Sequence, residues 1–115
     1  MKAADSRHMK PITDKAEISV DFPDKAYIGS FSQHSSFEVR ADGDGIAIKL
    51  VHPAEDRRTA EIHLHYYLLA DILAEAAEAI AGRPALDDSH REPLLEAATK
   101  LERALSAAPA RTRAT

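Results

Sequence analysis

The sequence predicts an α+β fold, in which an antiparallel β-meander of about five strands precedes a C-terminal helical hairpin packed on one sheet face. Three observations predict it. Apolar and polar residues alternate in short runs between residues 17 and 65. Short connections join these runs and favour antiparallel neighbours. After residue 65 the apolar spacing becomes helical, and strands followed by helices are typical of a two-layer α+β domain.

The first two predicted strands cover residues 17–22 and 26–31. Apolar and polar residues alternate along the first strand, and a Pro-Asp pair ends it. In the second strand, Tyr27 and Phe31 share one face, whereas Ile28 lies on the other. The three-residue connection between the two strands favours antiparallel pairing.

The next three predicted strands cover residues 36–40, 46–51 and 58–65. The Asp-Gly-Asp-Gly run at 42–45 is a hairpin turn signal, because these residue types tolerate tight turns. The alternation is consistent across the three strands and predicts one shared core face. Its members are Phe37, Val39, Ile46, Ile48, Leu50, Ile62 and Leu64.

Two helices are predicted, at residues 66–81 and at about 88–106. Leucine, isoleucine and alanine recur at helical spacing in both segments. Gly82 is a natural C-terminal cap for the first helix, and Pro84 prevents its continuation. With the strands, these helices make a single domain over residues 15–107.

The remaining segments carry no apolar period. Residues 1–14 are therefore predicted to be a flexible N-terminal arm, and residues 108–115 a flexible C-terminal tail.

Composition excludes several classes of function. The formal net charge is −4 and the basic residues are scattered among acids, which argues against a nucleic-acid or membrane-surface partner. No segment is apolar enough to span a bilayer. The sequence has no cysteine, and its N-terminus has no signal-peptide core, so we expect a cytoplasmic protein. No phosphate-binding glycine loop or GxSxG nucleophile motif is present, so an enzyme is the less favoured hypothesis.

His63 and His65 are the candidate metal ligands. They lie two residues apart on the polar side of a predicted strand, an arrangement that presents two imidazoles to a divalent transition metal such as zinc. A third ligand would have to come from elsewhere in the chain. The candidates, none at a fixed spacing, are His34, His52, Glu61 and Asp71. A histidine-dependent metal-binding protein or small enzyme is therefore the alternative hypothesis.

The favoured hypothesis is a protein–protein interaction or accessory regulatory domain that forms a homodimer. Ile28 and Val51 are apolar residues on the sheet face that the helices would leave free. Tyr66 and Tyr67 follow the last strand, and tyrosine combines a large contact area with a polar tip. We expect these four residues to contact a second copy or an unknown protein partner, without a cofactor.

Overall fold

A computed structural model describes residues 9–53 and 55–107 of the chain. Within these residues, antiparallel strands precede a C-terminal pair of helices, which confirms the predicted α+β class. The strands are β1 (Lys10–Pro11), β2 (Ala16–Phe22), β3 (Lys25–Phe31), β4 (Ser36–Ala41), β5 (Gly45–His52) and β6 (Arg58–His65). The helices are α1 (Tyr66–Ala81) and α2 (Asp88–Ala107). Residues 1–8 and 108–115, which cover the predicted tail and most of the predicted arm, lie outside the described residues.

The strands form two sheets rather than one continuous meander. A four-stranded sheet has the order β1-β4-β5-β6, and β2 pairs with β3 in a separate two-stranded sheet. Lys10 and Pro11 of β1 lie opposite Phe37 and Ser36 of β4. This short strand, within the range predicted as the arm, thus takes the first two positions of the β4 edge that a meander would give to β3.

The register of the main sheet places the seven predicted core-face residues on one side, here called the apolar face. Val39 lies opposite Ile48, and Ile48 lies opposite Ile62. Directly opposed residues share a face, and so do alternate residues along a strand. None of the seven is buried in the chain by itself: Val39 is 49% exposed and Ile62 is 47% exposed.

The opposite face of the main sheet carries charged residues. Glu38, Lys49 and Glu61 form one row across three strands. The alternation predicts a solvated Glu38, but this residue is only 4% exposed. Its Oε2 atom has no hydrogen-bond partner among the described residues and lies 3.8 Å from Nε of Arg40.

The β2–β3 hairpin has one apolar side, and its register confirms the predicted alternation. Val20 lies opposite Tyr27, and the rings of Phe22 and Tyr27 meet edge to face with centroids 6.2 Å apart. At the other end of the hairpin, Phe31 is buried. Arg58 of β6 holds this end, because its Nε donates to the carbonyl oxygen of Ser30 at 3.0 Å.

The bounds of α1 coincide with those predicted, and the amide of Gly82 donates to the carbonyl oxygen of Glu78 at 3.1 Å where the helix ends. Asp87 caps α2, since its Oδ1 accepts from the Ser89 hydroxyl at 2.8 Å and from the amide of His90 at 3.1 Å. These contacts hold the pKa of the Asp87 carboxyl below its usual value of 3.8. Neither α1 nor α2 contains a buried residue, and no helix in the described part of the chain could span a membrane.

Candidate functional site

The turn between β4 and β5 is organised by the side chain of Asp42. Its Oδ1 atom accepts hydrogen bonds from the amides of Asp44 and Gly45, each at 2.8 Å. The amide of Asp42 donates in turn to the carbonyl oxygen of Gly45 at 2.9 Å. A side-chain oxygen that accepts from amides two and three residues onward is the usual way in which Asp stabilises a tight turn. The turn thus fixes the position of the carboxylate.

His63 lies beside this carboxylate. Its Nε2 atom is 3.4 Å from Oδ2 of Asp42, and its side chain is 40% exposed. His65 projects from the same face of β6, because the two histidines lie opposite Ala47 and Gly45, which are themselves alternate residues. The two imidazole centroids are 4.9 Å apart and their planes are tilted by 55°. The predicted proximity of the two histidines is therefore present.

Tyr66 joins the same cluster from the first residue of α1. Its hydroxyl donates to the carbonyl oxygen of Asp42 at 2.7 Å, and its amide donates to the carbonyl oxygen of Asp44 at 3.2 Å. The tyrosine that the sequence analysis assigned to a partner thus makes an intramolecular contact through its polar tip. We call Asp42, His63, His65 and Tyr66 the turn cluster.

The electrostatics of the turn cluster favour an ionised Asp42. The amides of Asp44 and Gly45 stabilise its negative charge and hold the pKa of the carboxyl below its usual value of 3.8. The imidazole of His63 lowers the pKa further, while partial desolvation opposes both effects. The cluster therefore places an ionised carboxylate next to an exposed imidazole.

We expect Asp42→Asn to reduce stability at neutral pH and to lose this effect in acid. A carboxyl group whose pKa is lower in the folded state stabilises the fold above its unfolded pKa, and the stabilisation disappears as pH falls through the folded pKa. The amide oxygen of Asn can still accept from the amides of Asp44 and Gly45, so the substitution removes mainly the charge. Denaturant unfolding of both proteins from neutral pH down to below pH 3.8 measures the difference.

Asp42→Ala is the matched comparison, because it removes the turn acceptor as well as the charge and should remain less stable at every pH. A stability difference between Asp42→Asn and the parent that stayed constant with pH would contradict the assigned role of the charge.

The turn cluster offers a metal ion two imidazoles and one nearby carboxylate. Within residues 9–53 and 55–107, however, no group of three or more histidine or acidic side chains is arranged to hold a metal. Of the candidate third ligands, His52 lies opposite Arg58 at the other end of the sheet, and His34 lies in the turn before β4. Metal binding by His63 and His65 stays a prediction.

A second polar cluster joins a hydroxyl, an imidazole and a carboxylate. Oγ of Ser35 is 2.9 Å from Nδ1 of His52, whose Nε2 is 3.7 Å from Oδ1 of Asp56. The guanidinium of Arg58, at 2.8 Å, lowers the pKa of Asp56 below its usual value, and His52 adds to this effect. Ser35 is only 2% exposed and its carbonyl oxygen accepts from the amide of Ile12. The hydroxyl of Ser35 thus connects the residue before β4 to the last residue of β5.

The four predicted partner-binding residues lie on different elements. Ile28 belongs to the two-stranded sheet and is 85% exposed, whereas Val51 belongs to the main sheet and is half-buried. Tyr67 is 92% exposed and Tyr66 is 43% exposed. Partner binding by these residues stays a prediction.

Sequence reasoning missed the pairing of Asp42 with His63, although a signal for it exists. The four-residue turn at 42–45 fixes the register of β4 and β5. Because β5 and β6 have equal lengths, residue 63 then lies opposite residue 47, near this turn.

Comparisons of the chain with models of protein families, with curated proteins and with solved structures found no match.

Proposed function

We propose that this chain is a protein–protein interaction or accessory regulatory domain that works as a homodimer. One observation carries the proposal. Among the described residues, Phe31 is the only hydrophobic side chain that is buried, while many large apolar side chains are at least 41% exposed. Folded domains of this length normally enclose a contiguous apolar core, because hydrophobic burial is the main favourable contribution to folding. A partner that covers the exposed residues would supply the missing burial.

The exposed area is of the size that an interface requires. On the main sheet and the apolar side of the hairpin, five large side chains are between 41% and 54% exposed: Val20, Phe22, Tyr27, Val39 and Ile62. If each has a total area of roughly 150–250 Å², the exposed parts together amount to roughly 500 Å². A specific interface buries about 800 Å² on each partner, so these residues could supply most of one.

The metal-binding alternative rests on the proximity of the two imidazoles in the turn cluster. It needs a third ligand, which a second copy or another protein could contribute.

Cytoplasmic location is also part of the proposal, and the absence of cysteine from the chain is consistent with it.

Sedimentation velocity at neutral pH tests the homodimer. We expect a dimer at roughly 10–50 μM protomer, and a thermal unfolding midpoint that rises with protein concentration, since association stabilises the folded state. A monomer throughout this range, with a midpoint independent of concentration, would contradict the proposal. Elemental analysis of the same untagged sample tests the metal-binding alternative. A stoichiometric amount of a transition metal in the protein would favour it.

A further inference from the structure

The two edges of the main sheet differ sharply. One edge begins with β1, which has two residues, a lysine and a proline, and continues along residues 38–41 of β4, which β1 does not reach. Short length, lysine and proline are all features that prevent an edge strand from pairing with another chain. The other edge is β6, which has eight residues and contains neither lysine nor proline. It pairs with β5 along its whole length, and no strand in the described part of the chain pairs with its outer side.

An apolar groove of about 650 Å³ lies along this free edge. One wall is residues 58–62 of β6, and the other is the apolar side of the β2–β3 hairpin, including Val20, Phe22 and Tyr27. The hairpin is held at one end by Arg58, whose guanidinium lies 5.6 Å from the centroid of the Phe31 ring. An unpaired backbone edge and an unfilled apolar groove therefore lie side by side.

From these observations we infer that β6 of a second copy pairs antiparallel with β6 around a two-fold axis at Ile62, and that the two hairpins flank the joined strands. This inference rests on the proposed homodimer and specifies how its two β6 edges meet. Of the exposed apolar residues, it brings Ile62 and those of the hairpin to the interface, whereas Val39 on β4 lies two strands away from the joined edge. A two-fold axis perpendicular to the sheet keeps each face of the sheet on the same side in both copies. Each residue of β6 must then lie opposite a residue of the second β6 that belongs to the same face. The possible registers are therefore those in which one residue of β6 lies opposite itself, and only a few of these give a long overlap.

The sequence of β6 favours the register centred on Ile62. That register pairs residues 59–65 of both copies and places Ile62 opposite Ile62, and Ala60 opposite Leu64, on the apolar face. On the other face, Glu61 lies opposite His63 of the second copy, twice by symmetry. Apolar residues directly opposite each other stabilise a sheet, and this register sets no two carboxylates opposite each other.

The neighbouring registers are poorer. Centring on Glu61 sets two carboxylates directly opposite each other, which is destabilising. Centring on His63 leaves a shorter overlap, residues 61–65, because Tyr66 already belongs to α1. Apolar pairing, the absence of facing carboxylates and the length of the overlap therefore make β6 complementary to a second copy of itself in this one register.

The chain has no cysteine, so single-cysteine variants can measure the register directly. Opposed Cα atoms in an antiparallel pair are about 4.5–5.5 Å apart, within disulfide range, whereas diagonal neighbours at about 7–8 Å are not. We expect Ile62→Cys to form a disulfide-linked dimer on mild oxidation. Glu61→Cys and His63→Cys should not do so separately, but their mixture should form the mixed dimer.

Leu105→Cys is the matched control, because Leu105 is 72% exposed and, unlike Ile28, does not line the groove. Pairing raises the local thiol concentration to the millimolar range, so Ile62→Cys should link at least about tenfold faster than this control. Sedimentation of each reduced variant confirms that it retains the parent's assembly state.

The outcomes separate the two proposals. The β6 interface is overturned, and the homodimer left standing, by a dimer in which Ile62→Cys links no faster than Leu105→Cys. In that case the mixture of Glu61→Cys and His63→Cys should also fail to link. Preferred linking of Glu61→Cys or of His63→Cys alone overturns the Ile62 register. A chain that is monomeric by sedimentation overturns the homodimer itself.

Discussion

Phe31→Ala is expected to lower the free energy of unfolding by about 3–5 kcal/mol, the usual cost of removing a buried aromatic side chain. Phe31 is 2% exposed, and the guanidinium of Arg58 lies over its ring. The substitution removes the largest buried apolar group of the described chain and the surface on which Arg58 lies. Chemical denaturation at a fixed protomer concentration measures the effect.

Phe22→Ala is the matched control, because both phenylalanines lie on the apolar side of the same hairpin but Phe22 is 53% exposed. Its loss should cost no more than about 1–2 kcal/mol in the folded chain, in proportion to the smaller area removed from water. Equal destabilisation by the two substitutions would show that the core is not centred on Phe31.

Gly45→Ala is expected to destabilise the protein by about 3 kcal/mol, at the upper end of the cost of overpacking. A Cβ atom at Gly45 would collide with the carbonyl oxygen of Leu64 and lie 2.8 Å from Cα of His65. Both neighbours are backbone atoms that cannot move without shifting β6. The shift would also draw His63 away from Asp42, so the effect of Asp42→Asn should shrink in this background.

Gly43→Ala tests whether the destabilisation expected for Gly45→Ala comes from the close backbone contacts at Gly45 or from replacing any glycine of this turn. Gly43 lies in the same turn, but a Cβ there meets nothing within 4 Å, and neither glycine has a positive φ angle. Its substitution should change stability by less than about 1 kcal/mol. Comparable destabilisation at both positions, measured by the same denaturation, would rule out close backbone approach as the cause.

The local features of the fold could be predicted because they depend on side-chain period. Alternation placed Val39, Ile48 and Ile62 on one face, and the register confirms it. The change to helical spacing after His65, with Gly82 after the last turn, gave the bounds of α1. In each case neighbouring residues carry enough information to fix the structure.

Long-range features escaped prediction because alternation identifies faces but not pairing partners. Nothing in the pattern says that Lys10 and Pro11 pair with β4 and so leave β2 and β3 to form their own sheet. The burial of Glu38 could not be predicted either, because a charged residue on a polar sheet face is ordinarily solvated. In the turn cluster, the histidine pair followed from spacing along one strand, whereas the contact between Asp42 and His63 depends on the register of three strands.

The unequal edges of the main sheet also limit how large an assembly can grow. An open-ended β-fibril requires every chain to offer two edges, so that each added copy exposes a new one. Here Lys10 and Pro11 of β1 cover the first two residues of β4, and residues 38–41 of β4 form the rest of that edge. If two copies join through β6, both outer edges of the combined sheet are of this kind, and the lysine and proline of β1 disfavour further pairing at each of them. A substitution that replaced Pro11 should weaken this protection and favour fibrils over a soluble dimer.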